Sequence, residues 1–114
     1  MTIQADLLVE DEVLAKAVAA IHGSLPDAEV ILFGSRATGT ARPDSDYDLM
    51  VITDTEDRYQ TALHLTSVLR RIFSLPGFDL IVVPRADWER VRKLRGFIQH
   101  EADTHGVRLH ARHT

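Results

Sequence analysis

The distribution of apolar residues along the chain predicts a small set of alternating strands and helices. Three compact apolar runs favour buried β-strands, at residues 30–33, 48–52 and 78–83, and Pro84 ends the last of them. A shorter alternating segment at residues 107–110 predicts an edge strand. Gly34 ends the first run abruptly, and a polar connection rich in Gly, Ser, Pro and Asp leads to the second.

Between these runs, apolar residues recur at helical spacing. The pattern predicts helices over residues 7–21, 57–74, 87–94 and 97–104. Asp57 and Asp87 are candidate N-caps for the second and third helices, and Trp88, Val91 and Leu94 form the predicted apolar face of the third. Strands that alternate with helices predict one α/β (or α+β) domain over residues 1–114, with a small mixed sheet flanked by helices.

Composition narrows the class of protein. The 114 residues are 45% apolar and 26% charged, as in ordinary globular proteins. The absence of cysteine excludes disulfides and thiolate metal sites, and with no signal peptide or membrane-length apolar run we expect a cytoplasmic protein without membrane contact. A net charge of −4 argues against a general nucleic-acid binder.

Two sets of residues late in the chain have a local pattern of their own. A basic cluster is either a solvated face or a contact for an acidic partner; its members are Arg85, Arg90, Arg92, Lys93 and Arg95. Four histidines, His100, His105, His110 and His113, lack the i, i+4 spacing of a helical zinc site, which favours surface positions for them.

The second apolar run begins at a pair of carboxylates. Asp46 and Asp48 are two residues apart, so in a strand they point to the same face while Tyr47 points to the other. Their Cβ atoms would then lie about 6–7 Å apart, close enough to share a cation. Such hard oxygen ligands suit Mg²⁺ or Mn²⁺. The alternative is a solvated turn in which the aspartates only cap backbone groups.

The Gly34-Ser35 element before this pair favours a phosphate-binding role. Glycine allows close approach of a ligand to the backbone, and N–H groups that open onto a short helix can cradle a phosphate. A Walker-type loop is excluded because Thr40 and Ala41 follow Gly39 instead of Lys and Ser or Thr. A calcium loop starting at Asp44 is excluded because Leu49 stands where glycine is required, and Thr55 occupies the twelfth position.

A third carboxylate, Asp79, stands near the start of the otherwise apolar run at residues 78–83. Buried carboxylates need partners, so Asp79 is either an exposed residue at the strand end or a third ligand beside Asp48 on a neighbouring strand. Adjacent strands lie about 4.8 Å apart, which allows the second arrangement.

The residues Gly34-Ser35-Arg36-Ala37-x-Gly39, followed by Ser45-Asp46-Tyr47-Asp48-Leu49, resemble the signature GS-x-A-x-G…SD-x-DL of the polymerase β-like nucleotidyltransferase superfamily. The chain is most similar to the minimal nucleotidyltransferases, the small subunits paired with HEPN-domain proteins in prokaryotes. The resemblance implies the polymerase β-like fold and places Asp79 as the third acidic residue beside Asp46 and Asp48, in catalytic and metal-binding roles. Thr38 departs from the many relatives with a basic residue there.

The same resemblance implies a reaction. Asp46, Asp48 and Asp79 would hold Mg²⁺ (or Mn²⁺), and Gly34 and Ser35 would bind the phosphates of ATP. Arg36 either adds charge at those phosphates or has a structural or interface role.

AMP would pass from ATP to a hydroxyl, a tyrosine of a HEPN toxin, making this chain the antitoxin of the pair. The alternatives are a nucleotidyltransferase for a small molecule such as an aminoglycoside, and a non-catalytic antitoxin that acts by contact.

Overall fold

The computed structural model describes residues 11–109. In that range the chain forms helices α1–α5 and strands β1–β4. In chain order these are α1 (Glu12–Ser24), β1 (Glu29–Phe33), α2 (Ser35–Thr38), β2 (Tyr47–Thr53), α3 (Arg58–Leu69), β3 (Phe78–Pro84), α4 (Arg85–Val91), α5 (Ile98–His105) and β4 (Val107–Leu109). Within the described residues, no helix is long and apolar enough to cross a membrane.

The four strands form one mixed sheet in the order β3-β2-β1-β4. Strand β1 pairs antiparallel with both β2 and β4, whereas β2 and β3 are parallel and are joined through α3. Parallel neighbours need such a crossover, because a tight turn can join only antiparallel strands. The predicted α/β class with a small mixed sheet is confirmed.

Side-chain alternation along β2 gives the sheet two apolar faces. Leu49 and Val51 belong to the cluster that includes buried residues of α1 and α3, whereas Met50 and Ile52 belong to the cluster that includes Trp88 of α4. Both faces are therefore covered by helices. Because side chains two residues apart share a face, Asp48 points to the Trp88 side of the sheet, at the start of its strand.

Helix α1 differs modestly from its prediction. Asp11 is the N-cap residue, and its Oδ1 accepts a hydrogen bond from the Leu14 amide at 3.0 Å. The helix continues to Ser24, beyond the predicted end at residue 21, because Gly23 is accommodated inside its last turn. Residues 7–10 of the predicted helix lie outside the described residues, as do the predicted strand residue His110 and His113.

The predicted boundaries of α3 are right at the start and wrong at the end. Asp57 caps the helix, accepting a hydrogen bond from the Gln60 amide at 3.0 Å. The helix ends at Leu69 instead of residue 74, and the chain continues in turns that still bury Phe73. Apolar spacing predicted a longer helix because Phe73, although it lies in the turns after α3, packs in the same core cluster as the apolar residues of that helix.

Helix α4 starts and ends earlier than predicted. It begins at Arg85, directly after Pro84, so Asp87 lies in its first turn and is not the N-cap. Proline favours this start because its fixed φ and missing N–H suit a helix boundary. Since α4 ends at Val91, the predicted core residue Leu94 is outside the helix and is 48% exposed.

Candidate active site

The turn after β1 lies against the carboxylate of Asp48. Phe33, the last residue of β1, pairs with Asp48 across the sheet, and Gly34 follows with φ 74° and ψ −157°. Only glycine occupies that backbone region readily. A Cβ atom on Gly34 would lie 2.1 Å from Asp48 Oδ2, so a side chain here would displace the carboxylate. Gly34 is therefore required both by backbone conformation and by contact.

The short helix α2 leaves backbone donors beside this contact. The Gly34 carbonyl accepts hydrogen bonds from the amides of Ala37 and Thr38, at 3.1 and 3.2 Å. Within residues 11–109, the amides of Ser35 and Arg36 have no backbone acceptor. These two amides and the Ser35 hydroxyl are the donors that the Gly34 turn can offer to an anionic group.

Asp79 is the register partner of Asp48 on the neighbouring parallel strand. Asp48 is half-buried, whereas Asp79 is exposed at the start of the edge strand β3. Burial raises the pKa of Asp48, and the nearby carboxylates of Asp79 and Asp46 raise it further. The predicted proximity of Asp79 to Asp48 is thus confirmed, although Asp79 is also solvent-exposed, as the alternative interpretation required.

Asp46 is tied to the loop before β3. Its Oδ1 accepts a hydrogen bond from the Gly77 amide at 3.2 Å, and the Gly77 carbonyl accepts one from the Tyr47 amide at 3.0 Å. These reciprocal bonds join the start of β2 to the start of β3. They therefore align Asp46 beside the pair formed by Asp48 and Asp79.

The carboxylates of Asp46, Asp48 and Asp79 are chemically suited to a divalent cation, but they do not form a complete metal site in this structure. Across residues 11–109, no three His, Cys, Asp or Glu side chains are already arranged to hold an ion. One oxygen of Asp46 is occupied by the Gly77 amide. Burial is the main cause of the raised pKa of Asp48, and repulsion from Asp79 and Asp46 adds to it; a hard cation bound by Asp48 and Asp79 would relieve that repulsion.

The side chain of Arg36 points to the loop before β2. Its Nε and one terminal nitrogen donate hydrogen bonds to the Ser45 carbonyl at 2.9 and 2.7 Å, and the same terminal nitrogen reaches the Pro43 carbonyl at 3.2 Å. The guanidinium carbon lies 4.0 Å from the centroid of the Tyr47 ring. In this arrangement the guanidinium binds the backbone of the loop. A contact between the Arg36 side chain and a phosphate stays a prediction.

Sequence reasoning missed three residues that organise this site. Gly77 was not among the predicted site residues, and nothing in the sequence indicated its hydrogen bond to Asp46. Tyr47 was placed only by alternation, yet its hydroxyl donates a hydrogen bond to Asp11 Oδ2 at 2.9 Å. Asp11 was not among the predicted site residues either. Each contact is distant in sequence, so local patterns carry no signal for it.

Comparison with known proteins gives two matches of different kinds. Residues 12–109 match the family model described as Nucleotidyltransferase domain. Among solved structures, a proposed nucleotidyltransferase from Sulfolobus solfataricus matches with a TM-score of 0.56 and 26% sequence identity, over 71% of this chain and 72% of that chain. No curated protein matches the chain at a significant level.

Proposed function

The chain belongs to the nucleotidyltransferase domain family of the polymerase β-like superfamily, and on that premise we propose that it transfers AMP from ATP to a hydroxyl group of a partner protein. The observation that supports this best is the contact between the Gly34 turn and the Asp48 carboxylate, with Asp79 beside it. A phosphate-binding turn and a cation-binding pair that touch each other suit a metal–nucleotide substrate.

In this proposal some site residues bind the phosphates of ATP and the others bind the cation. Gly34 allows close backbone approach, and Ser35 contributes its amide and hydroxyl to the β- and γ-phosphates of ATP. Arg36 contributes its amide to the same anionic group. Asp46, Asp48 and Asp79 are the residues that would hold Mg²⁺ or Mn²⁺. When bound, the cation neutralises charge on the triphosphate and on the departing pyrophosphate.

The reaction is an in-line displacement at the α-phosphorus of ATP. The acceptor oxygen forms a bond to that phosphorus, the bond from the α-phosphorus to the bridging oxygen of the β-phosphate breaks, and pyrophosphate leaves. The acceptor hydroxyl must lose its proton, and the exposed carboxylate of Asp79 is the base that we assign to this transfer. The product is an AMP ester of the acceptor.

We assign the acceptor hydroxyl to a tyrosine of a HEPN-domain toxin, so that the chain acts as an antitoxin. This assignment rests on the resemblance to minimal nucleotidyltransferases. A patch between α4 and α5 supports a protein partner: residues 93–98 are all exposed, and Leu94, Phe97 and Ile98 are 48, 51 and 45% exposed. Lys93 and Arg95 border these apolar side chains, which suits a partner surface with acidic residues around an apolar centre.

Of the predicted basic cluster, only part is available for such a contact. Arg85 forms an ion pair with Glu29 at 2.7 Å, and Arg90 forms one with Asp87 at 2.8 Å. Lys93 and Arg95 are exposed, so they are the members of the cluster that we place in the interface.

Two variants separate chemistry from contact in a complex co-expressed with a HEPN-domain protein of the same host. Asp46→Asn should keep the complex and abolish the mass increase of one or more AMP groups on the partner's tyrosine. Phe97→Asp should weaken the complex about 10-fold or more, because it places a charge in the apolar patch. Since Phe97 is the N-cap residue of α5 and Asp is a favoured N-cap, the helix should be preserved.

The outcome with Asp46→Asn also tests the alternatives. If that variant neutralises the partner as fully as the wild-type chain, contact and not chemistry is responsible. If no HEPN-domain protein is modified or bound, while a small hydroxyl compound such as an aminoglycoside receives AMP, the proposed acceptor is wrong and the transfer reaction stands.

A further inference from the structure

We infer that Arg36 is a positioning residue, whose guanidinium holds the loop before β2 so that the carboxylates of Asp46 and Asp48 face the phosphate-binding turn. The effect of Arg36 on catalysis rests on the proposed function, whereas its positioning of the loop does not. Its basis is the set of contacts that Arg36 makes with the backbone of residues 43–45 and with the ring of Tyr47.

The hydrogen bonds of Arg36 join two parts of the site. Arg36 follows the phosphate-binding turn, and Ser45 immediately precedes Asp46. Two N–H donors of Arg36 reach the Ser45 carbonyl, at 2.9 and 2.7 Å, and one of them reaches Pro43 at 3.2 Å. One side chain thus ties the phosphate-binding element to the residue that leads into the carboxylate pair.

Tyr47 is anchored through both its ring and its hydroxyl. Its ring lies under the guanidinium at 4.0 Å and contacts Phe73 with a centroid distance of 5.2 Å. Its hydroxyl donates a hydrogen bond to Asp11, which also caps α1 through the Leu14 amide. Tyr47 precedes Asp48 in β2, so fixing its ring on one face of the sheet fixes the direction of the Asp48 carboxylate on the other; Asp46 lies one residue before the strand and is held by the Gly77 amide.

The chemistry of this contact requires arginine. The planar guanidinium offers several donors in a fixed fork and a flat face for stacking, whereas a lysine ammonium is a compact charge on a flexible stem. Lysine would keep the positive charge and lose both the paired hydrogen bonds to Ser45 and the stacking on Tyr47. A phosphate contact would require Arg36 to give up carbonyl partners that it already has, so charge alone is not its function.

Hydrogen exchange in nucleotide-free protein tests the positioning role without any assay of activity. The Ser45 amide bonds to the Arg42 carbonyl and the Tyr47 amide to Gly77, so both should be protected. In Arg36→Lys these two amides should exchange about 10-fold faster, while amides in α1 keep the wild-type rate. The control is Arg42→Lys, an exposed arginine of the same loop, which should leave exchange unchanged. Wild-type exchange in Arg36→Lys would overturn the inference.

Steady-state kinetics provide the second measurement. We expect Arg36→Lys to lower kcat about 10-fold with KM for ATP within a factor of about two, because ground-state binding of the phosphates is retained. A phosphate ligand would behave differently: Arg36→Lys would be nearly wild-type, and Arg36→Gln would raise KM for ATP. That second pattern contradicts the inference. A wild-type chain with no transfer activity would refute the proposed function and leave the exchange result as the test of positioning.

Discussion

Replacement of Asp48 by Asn is expected to lower the rate of AMP transfer about 10³-fold, equivalent to roughly 4 kcal/mol of transition-state stabilisation. Asp48 is the carboxylate that touches the Gly34 turn and pairs with Asp79, so it lies where phosphate and cation meet. Asparagine has nearly the same shape but no charge for a divalent cation. The measurement is initial-rate kinetics at saturating Mg²⁺ and ATP.

The same substitution should not weaken the fold. Burial, and after it the nearby carboxylates, raise the folded-state pKa of Asp48 above its unfolded value, so ionisation of this carboxyl as the pH rises opposes folding. Asn removes that ionisation, and the free energy of unfolding in urea should be unchanged or higher. Asp44→Asn is the control, since it removes an exposed charge from the same loop and should retain near wild-type activity. A large loss of stability in Asp48→Asn would show that the carboxylate is structural.

Gly34→Ala is expected to lower activity about 10²-fold or more, because displacement of a reactive group by about 1 Å costs that much. The new Cβ would lie 2.1 Å from Asp48 Oδ2, so the carboxylate must rotate away from the turn. The backbone strain at φ 74°, ψ −157° adds about 1–3 kcal/mol of destabilisation. Activity and urea unfolding of the same preparation separate the two effects.

Gly39→Ala provides the matched control for Gly34→Ala. Gly39 also has a positive φ, 83°, but a Cβ atom there would meet nothing within 4 Å. The variant should therefore lose some stability through backbone strain and keep most of its activity. Equal losses of activity in the two variants would mean that strain, and not the contact with Asp48, accounts for the effect of Gly34→Ala.

The sequence predicted the strands of the sheet and the neighbouring pair Asp46 and Asp48 because both depend on local patterns. Compact apolar runs located the strands β1, β2 and β3 to within one residue at each end. For Asp79 the pattern left two positions open, an exposed strand end or a place beside Asp48, and the family resemblance implied the second; the parallel register brings the two residues level. The short helix after Gly34 was expected only as part of the possible phosphate-binding role of Gly34-Ser35.

Other features depended on contacts that no local pattern contains. Leu94 fits the helical spacing of α4, but the helix ends three residues earlier, so the side chain is exposed. The guanidinium of Arg36 found carbonyl acceptors seven and nine residues away, an arrangement fixed by the path of the connecting loop. The hydrogen bond from Tyr47 to Asp11 joins residues 36 apart in sequence and forms only because α1 packs on the sheet.

Transfer of labelled phosphate tests the central claim most directly. Purified protein, Mg²⁺ and host lysate are incubated with ATP labelled at either the α- or the γ-phosphate, in parallel with Asp48→Asn. Nucleotidyl transfer predicts label on an acceptor from the α position only, pyrophosphate as the other product, and no label with the variant. Label arriving from the γ position would mean phosphoryl transfer and would contradict the account.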